Sequence, residues 1–381
     1  MQLLELLDEL EHFEFFSEAR TDSDVYKVTL SKIESYREII SALSYEYGFK
    51  IKKIEDEIAL ILKYVINGDY VNAFTSLKKL IENNCDELYI HDLSSEFSNN
   101  INIYKDSNKY LFKGRVLDWN DEIDRKGIFH IPFDKREYIS TQRFSINGVP
   151  CIYLGQSIHV VWEELNRPKL DELFVSRFEI DESLKVFDIG LNWSDLKLFN
   201  MHYQENINNE PNFSLIDEHG NDLIPQIIKK FVYSCVFKIA CSVKVKDKDR
   251  PFKSEYVFPQ LLMAVISESS IADGIRYSSV RVNSESYIYA NYAFACHQVG
   301  NEQYSKYYSE KMKLSLPINV GLSELVDDIS LTGYSSDNLF RNWTIYMVNN
   351  EFPINYESTK FYKIERKICL NEKLETKVID I

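Results

Sequence analysis

The chain has 381 residues, 45% of them apolar and 27% charged, which is too apolar for intrinsic disorder and long enough for one large domain or two. Against 44 basic residues stand 59 acidic ones, a formal net charge of −15 that repels a phosphate backbone, so general nucleic-acid binding is not expected. Only 12 glycines and 9 prolines exclude a collagen-like or low-complexity chain.

The first ten residues are acidic and amphipathic, without the basic start and unbroken apolar run of an export signal. The longest apolar runs, residues 231–243 and 256–266, are too short for a hydrocarbon layer about 30 Å thick, so no membrane span is expected. Cys85, Cys151, Cys235, Cys241, Cys296 and Cys369 form no Cys-x-x-Cys pair, which points to neither a zinc site nor a disulfide framework. A cytoplasmic protein with reduced thiols and no metal is the simplest expectation.

Residues 1–98 carry almost no helix-breaking signals and read as a helical N-terminal domain. Ile54, Ile58, Ile61, Leu62 and Val65 fall on one helical face. Asn67-Gly68-Asp69 then predicts a turn, with Asp69 capping a helix through Val71, Phe74, Leu77, Leu80 and Ile81. A polar stretch at residues 94–108 is the expected boundary, and residues 99–381 have the mixed texture of an α+β domain, with turns at Asn147-Gly148-Val149-Pro150 and Asn192-Trp193-Ser194. Within it, residues 151–154 predict a strand and Ser157 caps a helix through Val160, Val161, Glu164 and Leu165. Residues 255–258 read as a second strand followed by a helix starting at Pro259, and residues 274–279 as another strand. The basic stretch Lys244, Lys246, Lys248, Arg250, Lys253, interrupted by Asp247 and Asp249, reads as a solvated loop.

The segment Gln142-Arg143-Phe144-Ser145-Ile146-Asn147-Gly148-Val149-Pro150-Cys151-Ile152-Tyr153-Leu154-Gly155 resembles the Gly-Arg-Trp-Asn-x-x-Gly-x-Pro-x-x-Tyr-Leu signature of RES domains. Tyr153 follows Arg143 by ten residues and Glu164 follows Tyr153 by eleven, which is that family's spacing for its Arg, Tyr and Glu. Further on, Ile275-Arg276-Tyr277-Ser278-Ser279 resembles the segment with the family's Ser, Ser279 being the first candidate and Ser278 the alternative. Arg115, in Lys113-Gly114-Arg115, resembles an Arg that opens many RES domains, and Asn291, in Ala290-Asn291-Tyr292, a polar position downstream of the Ser segment. Gln142 stands where the family often has Gly, and Phe144 where it often has Trp. The resemblance takes in about residues 110 to 300.

That resemblance implies a mixed-sheet core similar to ADP-ribosyltransferase toxins and cleavage of the nicotinamide–ribose bond of NAD, by hydrolysis or phosphorolysis. NAD is then the substrate and no cofactor is implied. Family members act as toxins that deplete NAD, which suggests a toxin–antitoxin or anti-phage setting, and some assemble as dimers or larger oligomers. Two other readings stay open: an ADP-ribosyltransferase acting on a macromolecule, and a catalytically silent module that senses a nucleotide. The N-terminal segment faintly resembles HEPN-like helices fused to some RES domains, but neither Arg20 nor Arg37 has the downstream His of HEPN ribonucleases. Its expected role is to recruit an inhibitory or activating protein partner.

The residue types suit this chemistry. Loss of a pyridinium leaving group develops an oxocarbenium-like ribose, which a carboxylate stabilises, the role expected of Glu164. A pyrophosphate calls for the planar fork of an Arg, here Arg143, with Arg115 as a second phosphate contact. Tyr153 offers a ring face with a hydroxyl at its edge to hold nicotinamide, and a Ser279 hydroxyl fixes substrate oxygens rather than attacking. Glu163, about 100° away from Glu164 on a helix, is the expected solvated neighbour. Trp119 and Trp162 are read as packing residues and His130 as structural.

Overall fold

A computed structural model describes residues 10, 13–93, 110–118, 121–191, 223–245, 250–282, 289–321, 344–346, 353–356, 359–370 and 377–378. The expected boundary at residues 94–108, the Asn192-Trp193-Ser194 turn, Trp119, Lys246 and Lys248 lie outside the described residues.

In chain order the elements begin with β1 (Ser17–Ala19), α1 (Val25–Leu43), α2 (Tyr45–Ile66), α3 (Tyr70–Glu82), β2 (Ile90–Asp92), β3 (Tyr110–Val116), α4 (Arg125–Phe129), β4 (Cys151–Gly155), α5 (Ile158–Glu164), β5 (Leu173–Ile180) and β6 (Lys185–Ile189). They continue with α6 (Leu223–Cys241), β7 (Val243–Val245), α7 (Ser254–Ser269), β8 (Gly274–Ser278), β9 (Ala290–Ala295), α8 (Lys306–Lys311), β10 (Met312–Leu314), β11 (Ile318–Asn319), β12 (Thr344–Tyr346), β13 (Pro353–Asn355) and α9 (Lys360–Leu370). The class is α+β.

Two compact units emerge: Met1–His91 with Thr141–Ile146 and Lys185–Val280, and Asp92–Ser140 with Asn147–Leu184 and Arg281–Ile381. This division does not run at the single sequence boundary expected near residue 98. The reason is apolar matching. Helices α1 and α2 each bury one face, whereas α6 is apolar nearly all round, burying Phe231, Val232, Tyr233, Val236, Phe237 and Ile239. Both helices pack on α6, and the Tyr36 hydroxyl donates to the Val232 carbonyl at 2.9 Å.

Inside the first unit the helical reading of residues 54–81 is matched. Ile54, Ile58, Ile61, Leu62 and Val65 are buried, and the Asp69 carboxylate caps α3 by accepting from the Asn72 N–H at 3.2 Å. The segment is not all helix: β1 pairs in parallel with β7, and β2 follows α3. Strands β6 and β8 are also parallel, Asp188 lying opposite Arg276.

Residues 255–258 are helical rather than a strand, since α7 starts at Ser254 and contains Pro259. Proline removes one hydrogen bond, the one to the carbonyl four residues earlier. That carbonyl belongs to Glu255, and it accepts instead from the Arg143 guanidinium at 3.3 Å. Asp22 ties down the start of the helix, accepting from the Ser254 N–H at 3.1 Å.

The second unit is an antiparallel sheet in which β5 lies between β10 and β3, β4 follows β3 and β9 follows β4. The strand expected at residues 151–154 is β4, preceded by the expected turn with Gly148 at φ +71°. Helix α5 covers one sheet face, its Ser157 cap accepting from the Val160 N–H at 3.0 Å. It sits on two glycines: a Cβ on Gly155 would lie 2.6 Å from Val160 Cγ1, and one on Gly114 2.6 Å from Val161 Cγ1. Val161 joins Phe112, Ile158, Leu173 and Val175 in the core beneath.

Neither glycine tolerates a methyl group without displacing the helix. Gly155→Ala is expected to lower stability by about 1–3 kcal/mol, read as a reduced urea midpoint with an unchanged m-value.

Candidate active site

Helix α5 ends in the carboxylate the sequence singles out. Glu164 is half-buried; its Oε1 accepts from Asn291 Nδ2 at 3.0 Å and its Oε2 faces Arg281 Nε at 3.1 Å. Asn291 is buried on β9 opposite Gly155, and Tyr153 pairs with Ala293. Strand alternation therefore puts Tyr153, Gly155 and Asn291 on one face, the face that α5 covers. The structure thus gathers Glu164, Asn291 and Tyr153 in the second unit.

The chain leaves this helix in an unusual way. Asn166 (φ 64°) and Arg167 (φ 57°) are consecutive non-glycine residues in the left-handed region, a strained exit of the kind that concentrates at functional sites. Two contacts hold it: Arg281 donates to Asn166 Oδ1, and Arg167 Nε lies 2.8 Å from Glu163 Oε2. Glu163 is consequently not the solvated residue expected from the helical wheel. It is buried, with His159 Nε2 also 3.6 Å away. Burial holds the His159 imidazole down at about 4, so the ring is neutral at pH 7.

The opposite end of α5 is latched by the C-terminal helix. The buried Glu365 carboxyl on α9 accepts from the Ile158 N–H and from the Tyr356 hydroxyl. Burial pushes this acid up to about 8, although both hydrogen bonds pull it down.

Arg115 does not join the cluster. Gly114 faces α5, so its neighbours Lys113 and Arg115 project from the other sheet face, where the Lys113 ammonium donates to the Phe129 carbonyl at 2.5 Å. Burial, with the charge of Arg115 beside it, holds Lys113 down at about 8. His130 is structural: its Nε2 accepts from the Ser305 N–H at 2.9 Å, so Nδ1 carries the proton donated to the Ile131 carbonyl at 2.8 Å. Burial holds that ring down at about 4.

Arg143, Ser278 and Ser279 belong to the first unit. The Arg143 fork is directed at backbone carbonyls: Cys241 at 2.9 Å, Val243 at 3.0 Å and Glu255 at 3.3 Å, with its carbon 5.0 Å from the Tyr256 ring centre. It thus closes the C-terminal end of α6, where the helix dipole favours a cation, and satisfies the carbonyl released by Pro259. Ser278 donates to the Gly190 carbonyl at 2.9 Å, and Ser279 is fully buried. The neighbouring Arg276 forms a buried ion pair with Asp188 at 2.9 Å. Burial opposes ionisation of Asp188, but Arg276, His91 and the Gly190 N–H outweigh it and hold the acid well below the usual carboxylate range.

The sequence reading missed Arg281 and Asn166, whose roles rest on contacts more than a hundred residues apart, and the Asp188–Arg276–His91 network. The basic stretch is likewise no solvated loop where described: Arg250 pairs with Asp22 and, at 2.9 Å, with Glu255. No group of three metal-ligating side chains occurs among the described residues, and no helix among them is long and apolar enough to cross a membrane.

The chain is similar to the Bacillus subtilis (strain 168) protein named "Putative toxin YopC", with 29% identity over 313 residues. The match takes in 78% of this chain and 65% of that protein, so the chain spans slightly less than two thirds of its relative's length. No protein-family profile matches the chain, and no solved structure does.

Two stability effects follow. A lysine ammonium cannot span three carbonyls, so Arg143→Lys is expected to lose about 2 kcal/mol in urea unfolding, in line with roughly 1.5–3 kcal/mol for a charged hydrogen bond. Glu365 retains its proton in the fold over a range in which the unfolded chain has lost it, so its contribution declines as pH rises from the ordinary value of 4.5 to about 8. Relative to wild type, Glu365→Gln is therefore expected to be more favourable at pH 8 than at pH 5 in paired urea titrations.

Proposed function

We propose that this chain is an NAD-degrading toxin that cleaves the nicotinamide–ribose bond, with Glu164 as the essential carboxylate. One observation carries the reading: the glutamate at the RES-type interval is oriented through both oxygens by Asn291 and Arg281, on the sheet face that also bears Tyr153. The similarity to a protein whose name describes a toxin supports the biological role.

In this mechanism Glu164 accepts from a ribose hydroxyl and places negative charge beside the developing oxocarbenium ion. Asn291 prevents the carboxylate from rotating away, and Tyr153 presents its ring to the nicotinamide. The Arg143 fork is engaged by three carbonyls, so Arg143 acts as a positioning residue for the segment that bears the motif, and Arg281 orients the Glu164 carboxylate. The acceptor is water or phosphate. An antitoxin-type protein partner is consistent with the same role.

Purified protein is expected to release nicotinamide from NAD. Glu164→Gln should lower that rate by about 10²–10³-fold while the unfolding midpoint stays near that of wild type. Chromatography of reactions with and without phosphate separates ADP-ribose from its 1″-phosphate. Failure of the wild type to release nicotinamide under either condition refutes the activity, and equal rates in the variant refute the assignment of Glu164.

A further inference from the structure

The first unit contains a groove of about 540 Å³ that the proposed chemistry does not use. One wall is the polar stripe of α1 formed by Lys27, Ser31, Lys32 and Ser35, which recur at helical spacing, and the other is the β1 strand from Ser17 to Arg20. Its volume lies within the roughly 300–1,000 Å³ of small-molecule sites.

The lining is locally cationic in an acidic protein. Arg20, Lys27 and Lys32 face Glu18 and Asp24 there, while the whole chain carries −15. Asp24 is already engaged, accepting from the Thr21 hydroxyl at 2.9 Å. Lys32 lies 4.5 Å from the Phe13 ring centre, whereas Arg20 and Lys27 make no ion pair with a described residue. The Ser17 hydroxyl is shielded from solvent and has no hydrogen-bond partner among the described residues. Being closed off from solvent, that hydroxyl is also out of a ligand's reach, so the polar side chains that can meet a ligand are those of α1 together with Glu18 and Arg20.

We infer that this groove binds a small phosphorylated polyol of nucleotide size. Arg20 and Lys27 hold the phosphate; Ser31 and Ser35 serve its oxygens or neighbouring hydroxyls; and Glu18 accepts from a sugar hydroxyl. The volume suits one mononucleotide rather than an extended chain. This inference is independent of the proposed NAD cleavage, because every lining residue belongs to the first unit and Glu164 to the second.

The test is calorimetric titration of the full chain with AMP and with adenosine. AMP is expected to bind at least tenfold more tightly than adenosine, and the double substitution Arg20→Ala, Lys27→Ala to weaken AMP at least tenfold. Both side chains are exposed, so the fold should be retained, and circular dichroism checks it. Equal affinity for AMP and adenosine, unchanged AMP affinity in the double variant, or no binding of AMP overturns the inference.

Discussion

Helix α5 can approach the antiparallel sheet only because Gly114 and Gly155 have no side chains, and the geometry of the candidate site depends on that approach. A single Cβ at either position would fall within 2.6 Å of a valine on the helix. The helix is then fixed at both ends. Ser157 and Glu365 satisfy N–H groups at its start, while the left-handed Asn166 and Arg167 turn the chain sharply after Glu164. A seven-residue helix has little stability of its own, so this seating is what makes Glu164 a positioned carboxylate rather than a mobile one. Asn291 and Arg281 complete the orientation from outside the helix.

A comparable economy operates in the first unit around Arg143. Pro259 interrupts the hydrogen-bond ladder of α7, and the last turn of α6 leaves carbonyls without intrahelical partners. One guanidinium serves both helices and the intervening β7 strand. The motif arginine therefore organises the scaffold of its own unit, which explains why its chemistry is that of a planar fork even without a phosphate.

Much of this was legible where the signal is local. The apolar spacing from Ile54 to Val65, the Asp69 and Ser157 caps and the Asn147-Gly148 turn each depend on a few neighbouring residues, and each appears in the structure. The interval that singles out Glu164 and the looser resemblance that suggests Asn291 brought forward two residues that bond directly. What failed to show depends on distant partners. Helix α7 overrides its strand-like composition because Arg143 relieves its proline, and Glu163 is buried because Arg167 adopts a backbone conformation that no propensity anticipates. Arg115, read as a phosphate contact, sits on the other face of the sheet, a distinction that strand register decides and a motif does not. The N-terminal helices belong with residues 185–280 because α6 supplies the apolar surface they lack.

The most direct test of the central claim is the NAD content of cells after induced expression of the wild-type chain or of Glu164→Gln, measured by mass spectrometry alongside growth. NAD is expected to fall before growth stops with the wild type and to hold steady with the variant. Growth arrest with an undiminished NAD pool, or an equal fall caused by both proteins, would contradict that claim.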